Sequence, residues 1–165
     1  MAIWYTIEHT KESINNFMEF NYHFHDFSIE KVTYIPDENV AELFLKYDEL
    51  KDSIILRFIN VHGMNVSVKV DCGYADEIMG SVLLLTDNNK FLWIDSDVWG
   101  EQSEQHIEEL KKECSWIQAE NIIWALTDEN GNPTEMPPYK IDQTWNIYGK
   151  IEHRHFDLIP YIKNK

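Results

Sequence analysis

The sequence predicts an α+β domain made mainly of antiparallel strands, with helices at about residues 10–21 and 101–114. Three observations lead to this class. Apolar and polar residues alternate over several short segments, which is typical of strands with one buried face. Two other segments carry apolar residues at helical spacing, and clusters of Gly, Pro, Asn and Asp separate the segments as turns do. The length of 165 residues fits one domain, assigned to residues 1–165.

Each predicted helix has one apolar stripe and recognisable end signals. Thr10 is a suitable N-cap for the first helix. The second helix has glutamates near its start and lysines near its end, as the helix dipole favours. The stripes consist of Ile14, Phe17 and Met18 in the first helix and Ile107, Leu110 and Cys114 in the second.

The first predicted hairpin joins residues 27–34 to residues 41–47. A change of apolar parity near Glu30–Lys31 indicates a β-bulge in its first strand. Pro36–Asn39 supplies turn-forming residues between the two strands.

The middle of the chain predicts further strands. Residues 53–61 are apolar on both faces, which is typical of a central strand covered on both sides. A turn is predicted at His62–Asn65, followed by a half-buried strand at 66–70. A second hairpin is predicted from strands 78–86 and 90–95 around Asp87-Asn88-Asn89.

The last predicted strand covers residues 116–127 and places Ile122, Trp124 and Leu126 on one face. A turn is predicted at 128–133 because Asp, Asn, Gly and Pro cluster there. The segment from Ile141 onwards is rich in apolar residues, so we expect it to pack on the sheet.

The formal charge is −15 and is unevenly distributed. Residues 70–139 hold 15 acids and 3 bases, and residues 1–69 hold 11 acids and 6 bases. Such a negative field repels phosphate backbones and anionic lipids but attracts cationic partners. The charge therefore argues against nucleic-acid and membrane partners, and it favours either a basic partner protein or a purely solubilising role.

Targeting signals and cysteine usage favour a cytoplasmic location. The longest aliphatic run, Val82–Leu85, is far shorter than the ~20 residues that span a bilayer. The N-terminus lacks the basic and apolar regions of a signal peptide. Cys72 and Cys114 are expected to be reduced thiols, as is usual in the cytosol.

A partner-binding surface is predicted within the acidic middle segment. Aromatic side chains anchor protein interfaces, and surrounding carboxylates steer a basic partner towards them. The aromatic core of a β-rich fold is the competing interpretation for each tryptophan. The predicted contact residues are Trp93, Asp95, Asp97, Trp99, Glu101 and Glu104.

A metal-dependent enzyme is the alternative from another class. His23 and His25 would share one face of a strand, and His153 and His155 repeat that spacing. Two such pairs on neighbouring strands would offer four nitrogens to a divalent metal. The sequence lacks the Gly-rich phosphate loops and the nucleophile elbow, so no cofactor is predicted and an enzyme is less favoured.

The segment Phe24–Tyr34, which opens Phe-His-Asp before a strand, resembles the start of several small uncharacterised bacterial β-rich domains. The similarity continues through Ile55–Val61 and covers about residues 23–70. Some of those domains are grouped with the immunity proteins of toxin systems, which neutralise a cognate toxin. The resemblance implies a non-catalytic binding domain and transfers no binding residue. We therefore expect neutralisation of a basic partner, with a metal enzyme or a self-associating structural domain as alternatives.

Overall fold

The computed structural model describes residues 4–25, 27–47, 52–67, 76–78, 80–96, 103–128 and 132–133. Within these residues the chain forms an eight-stranded sheet and two α-helices, and every strand pair is antiparallel. This arrangement confirms the predicted α+β class. The strands are β1 (Tyr5–Thr6), β2 (Phe27–Ile35), β3 (Val40–Tyr47), β4 (Asp52–Asn65), β5 (Asp76–Ile78), β6 (Val82–Leu85), β7 (Phe91–Ile94) and β8 (Trp116–Thr127), and the helices are α1 (Lys11–Phe20) and α2 (Glu104–Glu113).

The sheet has the strand order β5-β2-β3-β4-β8-β7-β6. Its centre is the long pair of β4 and β8. The second side of β8 is shared, because β7 pairs with its first part and β1 with its later part. The strands with the most cross-strand partners therefore lie in the middle, while β5 and β6 lie at the two edges.

Helix α1 begins and ends close to the predicted positions. The Thr10 hydroxyl accepts a hydrogen bond from the Ser13 N–H at 3.1 Å, as an N-cap does. The predicted stripe of Ile14, Phe17 and Met18 is buried. This stripe covers one face of the sheet, where the Phe17 ring lies 5.4 Å from the ring of Trp124 in β8.

Helix α2 is shorter than predicted at its N-terminus. Ser103 is its N-cap, and the Ser103 hydroxyl accepts from the His106 N–H at 3.2 Å. Glu101 lies outside the described residues. Ile107 and Leu110 are half-buried, and no residue of α2 is fully buried. The helix therefore rests on the domain surface instead of entering the core.

The first hairpin is confirmed in its strands, its turn and its bulge. β2 pairs with β3, and the register shifts between Ile29 and Lys31 as the parity change predicts. Asn39 closes the turn with a positive φ of 51°. This conformation is tolerated best by Gly, Asn and Asp.

The predicted turn at His62–Asn65 is wrong, because β4 continues through these residues to Asn65. Pairing with β8 as far as Trp116 overrides the local preference, and the register shifts between Val61 and Gly63. Gly63 allows close approach instead of a turn, since a Cβ there would lie 2.9 Å from the Trp116 ring. Val66 and Ser67 follow β4 outside any strand, and residues 68–70 of the predicted next strand lie outside the described residues.

The second hairpin is shorter than predicted. β6 and β7 flank the predicted turn, but residues 76–78 form the separate strand β5 at the opposite edge of the sheet, paired with β2. The predicted strand at 116–127 is confirmed as β8, with Ile122, Trp124 and Leu126 buried. Residues 129–131 of the following predicted turn, and the segment from residue 134, lie outside the described residues.

Candidate functional site

An open groove runs along β6 at the edge of the sheet, with a volume of about 960 Å³. One wall comes from α1 and the other from α2. Ligand sites in proteins usually occupy 300–1,000 Å³, so the groove has room for a small molecule or a short peptide segment. Its walls and floor include Ile14 and Met18 from α1, Val82, Leu83, Leu84 and Leu85 from β6, and Glu104, Ile107, Glu108 and Lys111 from α2.

Three carboxyl groups converge at one end of the groove. Asp87 comes from the turn after β6, and Glu104 and Glu108 come from the first turns of α2. A hydrogen bond between the carboxyls of Glu104 and Asp87 raises the pKa of Glu104, and the charge of Asp87 raises it further. This end of the groove, which we call the acidic end, therefore favours a shared proton or an incoming cation.

The positions of these carboxylates follow from two local features. The turn after β6 is closed by the Asn89 N–H donating to the Thr86 carbonyl at 2.8 Å, and Asn89 has a positive φ of 58°. The Thr86 N–H donates to the Lys90 carbonyl at 2.8 Å, which starts the ladder to β7. On the other wall, the Ser103 cap makes Glu104 the first residue of α2. An acidic residue there is favourable to the helix dipole.

The other end of the groove is formed around Ser81 and His23. The Ser81 side chain is buried, with 4% of the residue exposed, and its hydroxyl has no hydrogen-bond partner within the described part of the chain. The Ser81 N–H donates to the His23 carbonyl at 2.6 Å. Burial lowers the pKa of His23, although Glu19 acts in the opposite direction.

The structure places the predicted partner-contact residues in different environments. Trp93 is only 1% exposed in the core of β7, so its predicted role as a partner contact is corrected. All four residues of β7 are buried, which is why acidic neighbours in sequence did not indicate exposure. Glu104 is exposed at the acidic end, whereas Asp95 is half-exposed beside the end of β7, with its N–H donating to Ser115. Asp97, Trp99 and Glu101 lie outside the described residues.

Two of the histidines predicted as metal ligands, His23 and His25, do not lie on a strand. His23 is in a 3-10 turn at residues 22–24 with a positive φ of 52°, and His25 follows as an exposed residue. The strand geometry assumed for this pair is therefore wrong. His153 and His155 lie outside the described residues. In the described ranges, no group of three or more His, Cys, Asp or Glu side chains is arranged to hold a metal ion.

A second polar cluster, which sequence reasoning missed, lies where β4 and β8 lose their regular register. The Asn60 amide donates to Glu120 at 3.0 Å, and His62 Nε2 lies 3.1 Å from the other Glu120 oxygen. Lys90 Nζ lies 3.2 Å from His62 Nδ1. These hydrogen bonds, that of Asn60 first, lower the pKa of Glu120. The cluster lies outside the groove and joins three strand regions, so we assign it a structural role.

An ion pair occupies the sheet face opposite α1. Arg57 Nε and Nη2 both donate to Glu42 Oε2, at 3.1 and 2.9 Å. The Trp4 ring centre lies 4.2 Å from the Arg57 guanidinium carbon. The pair crosses from β3 to β4, where Glu42 and Arg57 are direct partners in the register of the two strands.

Comparisons with protein-family models, with curated proteins and with solved structures find no match for this chain. The resemblance to immunity-associated domains therefore stays a prediction. None of the helices in the described residues has the length and apolar character needed to cross a membrane.

Proposed function

We propose that this chain is a non-enzymatic protein-binding domain that neutralises a basic partner protein by occlusion, as immunity proteins do. The observation that carries this proposal is the convergence of Asp87, Glu104 and Glu108 at one end of an open groove. The formal charge of −15 supports it, because a large negative field speeds encounter with a cationic protein.

The chemistry of the acidic end favours a lysine or arginine. The hydrogen bond to Asp87, followed by the repulsion between the two carboxylates when both are ionised, keeps the pKa of Glu104 raised. An ammonium or guanidinium group placed between them would remove the repulsion and displace any shared proton. Glu108 is already engaged by Lys111, whose Nζ lies 3.7 Å from Glu108 Oε1. The unsatisfied charge therefore belongs to Asp87 and Glu104.

The test compares two variants of equal charge. Asp87→Asn/Glu104→Gln removes the acidic end, whereas Glu109→Gln/Glu113→Gln removes two exposed carboxylates of α2 that do not line the groove. A basic partner is captured from cells that express this chain, purified, and measured by surface plasmon resonance at low and high salt. We expect the first variant to slow association roughly five- to tenfold at low salt and to flatten the salt dependence. Equal kinetics in the two variants would overturn the proposal.

Metal analysis separates the proposal from the enzyme alternative. Stoichiometric zinc, iron or manganese in the purified chain, lost in a His23→Ala/His25→Ala variant, would replace the binding function with a metal-dependent one.

A further inference from the structure

On the side of β6 that faces away from β7, backbone N–H and C=O groups are available to pair with another strand. Within the described residues β6 pairs with β7 alone, so its other side is an edge of the sheet. The Thr86 N–H bonds to Lys90 across the hairpin. The backbone N–H and C=O groups of successive residues in an antiparallel strand point alternately to either side. The N–H and C=O groups of Val82 and Leu84, which have the same parity as Thr86, therefore also face β7. Leu83 and Leu85 therefore turn their N–H and C=O groups towards the groove.

In the part of the chain that the structure describes, β6 lacks the charges, prolines and bulges that often protect an edge strand from pairing. Exposed edge strands normally carry charges, prolines or bulges that discourage the addition of another strand. β6 has the sequence Val-Leu-Leu-Leu and shows no bulge in its pairing with β7. The two helices shield it only from the sides, since the groove between them stays open. A single extended chain could therefore reach the β6 edge through this groove.

We propose that an extended, basic segment of the partner adds to β6 as a further strand, with a lysine or arginine seated between Asp87 and Glu104. This inference rests on the proposed function and specifies how the partner binds. Main-chain hydrogen bonds to Leu83 and Leu85 would supply affinity, and the acidic end would fix direction and register. The occupant is basic because the carboxyls of Asp87 and Glu104 lie within hydrogen-bond contact at this end of the groove, where a cation would offset their negative charge.

The walls of the groove specify the other side chains of the segment. Side chains of an added strand alternate between the two walls. The α1 wall presents the exposed Lys11 and Asn15 beside the buried Ile14 and Met18, and the α2 wall presents the half-buried Ile107. We therefore expect small or polar side chains on the α1 side of the segment and apolar side chains on the α2 side. A second copy of this chain is a poor occupant, because two molecules of charge −15 repel each other.

The test uses a synthetic hexapeptide, acetyl-Lys-Val-Thr-Val-Thr-Val-amide, and two N-methylated forms of it. One form is methylated on the amides of its second, fourth and sixth residues, and the other on those of its third and fifth. Only one set of amides faces β6 in an added strand. We expect methylation of the amides that face β6 to weaken binding at least about tenfold. The form that is methylated on the other amides should bind within about twofold of the parent peptide. Binding is measured by isothermal titration calorimetry.

Variants of the chain test the same contact from the other side. Leu85→Pro removes one N–H on the groove side without removing a hydrogen bond to β7, and Leu85→Val is the control that keeps the N–H. We expect Leu85→Pro to abolish peptide binding and Leu85→Val to retain it, with circular dichroism as the check of folding. If Leu85→Pro does not fold, the two methylated peptides still show whether the peptide pairs with β6 through its backbone.

Three outcomes would overturn the inference. Equal weakening by both methylated forms would mean that the peptide binds through side chains alone, and undetectable binding of the parent peptide would mean that the edge takes no strand. A dimer in sedimentation experiments that the peptide dissociates would mean that a second copy occupies the edge. None of these outcomes touches the effect of Asp87→Asn/Glu104→Gln on partner association, so the failure of this inference is distinguishable from that of the proposed function.

Discussion

β5 and β6, the two edge strands among the residues that the structure describes, are protected in different ways. β5 has three residues, two of which are acidic, and it pairs with β2 at the far end of the sheet. β6 has four aliphatic residues, and two helices stand beside it. A short, charged strand discourages pairing by itself, whereas an aliphatic strand depends on its surroundings. This difference between β5 and β6 supports the proposal that a partner strand adds at the β6 edge.

The largest effect is expected at Trp93, which supports the β6 edge from within. Trp93→Ala removes a fully buried ring next to Leu83 and Ile117, and should lower the free energy of unfolding by about 3–5 kcal/mol. Trp93→Phe is the control and should cost clearly less. Urea denaturation measures both. A Trp93→Ala variant that keeps its stability but no longer binds the partner would show that Trp93 is a partner contact after all.

The centre of the sheet should be sensitive at the Arg57–Glu42 pair. The Glu42 side chain is 11% exposed and that of Arg57 is 35% exposed, so solvent weakens the pair only in part. Glu42→Gln should destabilise the fold by about 1–2 kcal/mol, because the hydrogen bonds from the guanidinium lose their charged acceptor. A double-mutant cycle with Arg57→Met measures the coupling. A coupling energy near zero would show that the pair does not stabilise the centre.

The acidic end should make stability fall as pH rises. The pKa of Glu104 lies above its usual value of 4.5 in the folded chain, so Glu104 binds more protons in the folded state than in the unfolded state in the interval above pH 4.5. The contribution of Glu104 to the unfolding free energy therefore decreases through that interval as the proton is lost, while the lowered pKa of His23 acts in the opposite direction. Asp87→Asn should flatten this decrease and stabilise the chain at neutral pH. Urea denaturation from pH 4 to 7 checks it, and an unchanged profile would contradict the carboxyl contact.

Glu120 is expected to have the smallest effect on the unfolding free energy, and its pH dependence should have the opposite sign to that of Glu104. Hydrogen bonds from Asn60 and His62 lower the pKa of Glu120, so its contribution to stability is present above pH 4.5 and is lost as pH falls through its lowered pKa. Glu120→Gln should reduce that loss in acid. Urea denaturation extended to pH values below 4 measures it. A steeper acid transition in Glu120→Gln than in the parent would show that the cluster does not act in this way.

The elements that local patterns predicted correctly are those whose signals lie within a few residues. The Thr10 cap, the bulge near Glu30–Lys31 and the buried face of β8 each follow from neighbouring positions. The end of β4 was missed because His62–Asn65 look like a turn locally, while pairing with β8 decides their structure. Long-range pairing overrides local preference in this way throughout β-sheets.

The candidate site was only partly predictable for the same reason. Glu104 was identified from the local excess of acids, but Asp87 belongs to a turn that only the fold brings next to α2. Trp93 was misassigned because neighbouring charges in the sequence do not report burial, and β7 is covered on both faces. The groove itself follows from the edge position of β6, which depends on the strand order of the whole sheet.

Amide hydrogen exchange, followed by NMR with and without the parent hexapeptide, tests whether an added strand pairs with the open side of β6. The Leu84 amide already faces β7, whereas the amides of Leu83 and Leu85 face the groove. We predict that saturating peptide slows exchange at Leu83 and Leu85 by at least about tenfold and leaves Leu84 nearly unchanged. Unchanged exchange at Leu83 and Leu85 under saturating peptide would contradict the account.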